Sequence, residues 1–102
     1  MDVNIVWNEY WIPITNDRSL SIWQRELDLE IGEEHPLWGL EPKVIGRGDG
    51  TDDAIVCLNN NKFAIVHLVW NGKIAPMPDK FPVSAIYSSV SKLQQVIDEG
   101  AW

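Results

Sequence analysis

Residues 62–70, KFAIVHLVW, set the tightest limit on how this 102-residue chain can fold. The run is dominated by β-branched and aromatic residues, and the Asn71-Gly72 pair behind it is a strong signal for a tight turn. As a strand it puts Phe63, Ile65, His67 and Val69 on one face and Ala64, Val66, Leu68 and Trp70 on the other. Both faces are then apolar. Such a strand belongs at the centre of a sheet, covered on both sides.

Its neighbours supply the rest of that sheet. AIVCL at 54–58 reads as the partner strand, joined through Asn59, Asn60 and Asn61, residues that tolerate the positive φ of a hairpin turn. KVIGR at 43–47 is a short strand, followed by the polar turn GDGTDD. VNIVW and YWIPI near the N-terminus read as strand, turn, strand, with Pro13 restricting the second to a sheet edge. Apolar positions 3, 6, 7 and 10 fit a helical stripe as well.

Two helices are expected. The first spans 19–31, with Asp17 or Ser19 as N-cap and Leu20, Trp23, Leu27 and Ile31 as its apolar stripe. Gly32 stands where a left-handed stop belongs, and Arg25, Glu26, Asp28 and Glu30 fall on the opposite, solvated face. The second spans 88–99, capped by Ser88 or Ser89, with Ile86, Val90, Leu93 and Ile97 aligned and Gly100 as its stop. Between Ile74 and this helix three prolines break any regular ladder. The pattern predicts one α+β domain over 1–102. Its antiparallel sheet has three to five strands, with 54–58 and 62–70 central. Leu20, Trp23, Leu27, Val90, Leu93 and Ile97 pack the helices onto it.

Composition narrows the functional classes. Fifteen acidic residues against eight basic give a net charge of −7, which repels nucleic acid and anionic membranes and favours a basic protein partner. Cys57 is the single cysteine, so no intrachain disulfide forms. No basic segment precedes an apolar run at the N-terminus, and no stretch approaches the ~18 apolar residues of a membrane span. A soluble, cytoplasmic protein is the expectation.

Catalytic and metal signatures are sparse. His67 has only Ile65 and Val69 as same-face neighbours along its strand, so it reads as a buried imidazole, a polar core residue alongside Trp70. Asp49, Asp52 and Asp53 suggest a calcium loop, but Thr51 takes the third ligand position and a solvated turn explains the composition. His35, Cys57 and His67 lack zinc spacing, and GRGDG lacks the order of a phosphate loop. Cys57 lies within a strand rather than at a helix N-terminus, where a thiolate would be favoured. No metal or cofactor is expected. Tyr10, Trp11, Trp38 and Trp102 are candidate recognition aromatics, although core or rim packing is the better explanation of any one of them.

The residues His35-Pro36-Leu37, Asp52-Asp53 and Val66-His67-Leu68 with Trp70 resemble the shared core of a group of small bacterial proteins, most without an assigned activity. The likeness spans about half the chain and departs after Trp70, where Asn71 replaces a small hydroxyl residue and no glutamate follows closely. It implies a contact between His67 and an aspartate across the hairpin, either a catalytic pair or a buried structural hydrogen bond. In size, charge and type the chain also resembles the immunity proteins of contact-dependent growth inhibition systems. The resulting expectation is a non-enzymatic inhibitor that binds a basic bacterial toxin domain, such as a nuclease, through Glu30, Glu33, Glu34, Asp49, Asp52 and Asp53. The alternatives are a small enzyme or ligand-binding domain using His67 with Asp52 or Asp53, and a homo-oligomer built through the aromatic N-terminal segment.

Overall fold

A computed structural model describes residues 4–100 and 102. Five strands and two helices follow one another as β1 (Trp11–Pro13), α1 (Asp17–Glu30), β2 (Lys43–Gly48), β3 (Asp53–Cys57), β4 (Phe63–His67), β5 (Val83–Tyr87) and α2 (Val90–Glu99). The strands form one antiparallel sheet in the order β1-β2-β3-β4-β5, so β3 and β4 are interior. The expected α+β class and its two central strands are therefore present.

Each helix covers one face of the sheet. Trp23, Leu27 and Ile31 from α1 and its exit pack with Val44, Ala54, Val56, Ala64, Val66 and Leu68, with Leu20 partly buried against them. Leu93 and Ile97 of α2 pack with Trp11, Ile55, Phe63 and Ile65, with Val90 at the margin. The alternation along β3 and β4 thus feeds two cores, which is why both faces of β4 are apolar. In β2 the register shifts between Val44 and Gly46, a bulge that sends Val44 and Arg47 to the α1 face. The helices are capped as short amphipathic helices need: the Asn16 side chain accepts from the Ser19 N–H, and Ser89 accepts from Lys92. Gly100 closes α2 in the left-handed conformation, at φ 78°.

Several expectations need correction. Residues 4–7 form no strand; Val6 exchanges two hydrogen bonds with the Gln94 side chain, and Trp7 lies against Gly46. Position 3 lies outside the described residues. Asn16 caps α1, and Gly32 is not its left-handed stop: Ile31 ends the helix in extended geometry, with Ile74 packed against the glycine. The strand expected over 62–70 stops at His67: beyond it the Val69 and Trp70 N–H groups bond to the Glu30 side chain instead of a neighbouring strand, and Trp70 turns at φ 62°. Asn71-Gly72 leads into a long irregular connection rather than a hairpin. Ile86, assigned above to the second helix, belongs to β5, which pairs along the whole of β4.

Candidate functional site

Antiparallel pairing brings the 49–52 turn, the exit of β4 and the entry of β5 to one end of the sheet. The α1 exit joins them there. Glu30 is responsible: its Oε1 accepts from the Val69 N–H at 2.8 Å and its Oε2 from the Trp70 N–H at 2.9 Å. One turn earlier, Glu26 Oε2 accepts from the Gly72 N–H at 2.9 Å. Three donors left over when β4 ends are thereby satisfied. Trp70 packs edge-on against Trp23 at 5.0 Å, and Arg47 lies over the other indole at 5.5 Å.

Glu30 is therefore misassigned as a partner-binding residue, since it is 1% exposed. Glu26 is buried as well. Their positions follow the stripe begun by Trp23, three and seven residues on, rather than the solvated face. Burial, followed by the Glu26 carboxyl beside it, pushes Glu30 up to about 7 from an ordinary 4.5, against the lowering effect of the Val69 and Trp70 N–H groups.

The burial expected of His67 belongs to the other histidine. His67 is not buried: its side chain is 53% exposed, and its Nδ1 lies 2.7 Å from Asp53 Oδ1, directly across the β3–β4 pair. The face assignment is correct, but α2 covers the sheet over Phe63 and Ile65, and His67 lies one step beyond. His35 is the buried ring. Its Nδ1 accepts from the Leu37 N–H at 3.0 Å, so Nε2 carries the proton and donates to Pro82 O at 2.8 Å. Burial lowers its pKa, and the bond to Pro82 partly opposes this. With Pro36 restricting its backbone and Leu37 fully buried, His35 fastens the α1 exit to the start of β5.

Glu33, Glu34, Asp49 and Asp52 are exposed at this end of the sheet. Asp52 contributes its backbone carbonyl to the Leu68 N–H, and the Asp49 N–H donates to Tyr10 O, which ties β1 to the turn. Asp53 is mostly covered, with one carboxylate oxygen on His67. Val69, Ile74, Met77, Phe81 and Tyr10 are exposed in the same region. A cavity of about 500 Å³ opens between Tyr10, Trp11, Trp102, Asp49, Thr51 and Asp53. Among the described residues, no three His, Cys, Asp or Glu side chains converge as metal ligands, and no helix is long and apolar enough to cross a membrane.

Of the quoted motif residues, Asp52 bonds to Leu68 and Asp53 to His67 across the β3–β4 pair, whereas His35 bonds to Pro82, which lies outside the quoted motifs. Comparison with family models, curated proteins and solved structures gives no match.

Proposed function

We propose that this chain is a cytoplasmic inhibitor, of the immunity type, that binds and neutralises a basic bacterial toxin domain. The observation that carries this reading is the joint exposure of carboxylates and apolar side chains at one end of the sheet. Glu33, Glu34, Asp49 and Asp52 would steer a cationic partner, and Val69, Ile74, Met77 and Phe81 would supply apolar contact area. A nuclease must be basic where it grips phosphate, so an acidic surface can occupy that site. The test is to identify what the adjacent gene encodes and, for a toxin-like domain there, to measure protection in cells that express it. Wild type should protect, and joint charge reversal at Glu33, Glu34, Asp49 and Asp52 should abolish protection at equal protein level. Equal protection by the reversed protein would remove the reading.

A second reading rests on the His67–Asp53 pair. A carboxylate holding Nδ1 leaves Nε2 of an exposed imidazole able to take a proton from water, as a general base does. Its test is hydrolysis of p-nitrophenyl acetate and bis-p-nitrophenyl phosphate by wild type, His67→Ala and Asp53→Asn. Turnover lost in both variants would support it, and wild-type rates equal to buffer would dismiss it.

A further inference from the structure

We infer that the cavity between β1, the 49–52 turn and the end of α2 is a recognition pocket for one arginine side chain of a protein partner. The inference rests on the inhibitor reading for its partner, but its chemistry can be tested alone. Three aromatic residues, Tyr10, Trp11 and Trp102, line the space, and two acidic ones, Asp49 and Asp53, line it too. Among the described residues, no basic one does. Its volume of about 500 Å³ admits a planar cation together with part of its aliphatic stem.

The polar groups are arranged to leave negative charge unanswered. Asp53 Oδ1 accepts from His67 Nδ1, and Oδ2 has no partner among the described residues. The Asp49 carboxylate likewise has none among them, since only its backbone N–H is engaged. α2 ends at the cavity with Gly100, and its last turn carries no basic residue, so the carbonyl end of the helix adds negative potential there. Indole and phenol faces also attract cations. All three contributions favour the same ligand charge.

The shape of the site selects among cations. Two carboxylates and an aromatic wall do not make the six or more oxygen ligands that calcium takes. A guanidinium is planar, stacks on indole faces and presents paired N–H groups to a carboxylate, whereas an ammonium is a strongly hydrated point charge. Tyr10 is 64% exposed, which places the cavity's rim in solvent where a partner's side chain can enter. The exposed Asp52 and Asp49 surround the same turn, so an incoming basic surface would meet them together with the pocket.

The experiment is an NMR titration of the full-length ¹⁵N-labelled protein with N-acetyl-arginine amide, using the citrulline derivative as a neutral isostere. Expected are saturable shifts of the Trp11 and Trp102 indole N–H signals and of the amides at 49–53. The Trp7, Trp23, Trp38 and Trp70 indoles should stay in place. Citrulline should bind about tenfold more weakly, and Asp49→Asn or Trp102→Ala should each weaken arginine about threefold to tenfold. Unmoved Trp23 and Trp70 signals in the variants establish that the fold is intact. Equal binding of citrulline, or shifts that bypass Trp11 and Trp102, would overturn the inference. That result would leave the inhibitor reading to its own protection test. Arginine binding in a protein that fails to protect cells would remove the inhibitor reading and keep the pocket.

Discussion

Glu26 and Glu30 hold three backbone N–H groups of the 69–72 segment from one face of α1. Burial, with the Glu26 carboxyl beside it, favours the protonated form of Glu30 up to about 7. The raised Glu30 value fixes the sign of the linkage. Below about 4.5 the folded and unfolded chains are both protonated and the contribution is complete; between 4.5 and about 7 only the folded chain keeps the proton, so stability falls as pH rises. Thermal melts from about pH 5 to pH 8 should show that fall, and Glu26→Gln should flatten it, because an amide can donate to Glu30 and still accept from Gly72. A Glu26→Gln profile as steep as wild type would contradict the pairing. The histidines give a matched comparison. His35→Ala orphans two buried backbone groups and should cost roughly 2–3 kcal/mol, while His67→Ala should cost under about 1 kcal/mol, both read from denaturant melts. Periodicity showed which face of its strand His67 occupies, but not how far along that face a helix would reach. Glu26 and Glu30 were legible as members of the Trp23 stripe. Their charge argued for solvent, and the N–H groups that justify their burial come from about forty residues away.

The N-terminal segment is held by a close approach that only glycine permits. A Cβ on Gly46 would lie 2.4 Å from the Trp7 ring and 2.8 Å from Ile12 O, and the second of these is backbone that cannot swing aside. Gly46→Ala should therefore loosen residues 4–8 and the β1 edge, lowering stability by roughly 1–3 kcal/mol. Hydrogen exchange should quicken first at the Val6 amide, which Gln94 protects, and unchanged exchange there would show the segment to be held otherwise. β3 and β4 were readable because each carries consecutive apolar residues between turn signals. β5 was not. Its Ser84 and Ala85 are weak strand formers, and Ile86 stands four residues before Val90, mimicking a helical step into α2. Only pairing with β4 makes this segment a strand.

On the whole molecule, a net charge of −7 would act over long range even if it were evenly spread. Glu33, Glu34, Asp49 and Asp52 lie around one sheet end where apolar side chains are uncovered, with exposed Lys73 and Lys80 on the connection that carries those side chains. The sequence reading found four of these carboxylates as exposed groups, but not the apolar rim, because the 69–83 connection has no periodicity to read. The most direct measurement is the association rate with whatever toxin-like domain is encoded beside this chain's gene as ionic strength rises, for wild type and for Asp49→Lys with Asp52→Lys. Expected for wild type is fast association that slows steeply with salt, and for the double variant an association at least about tenfold slower at low salt with a shallow salt dependence. Identical rates and identical salt slopes for the two proteins, or no complex with wild type at low salt, would contradict the proposal that this acidic end is the inhibitory surface.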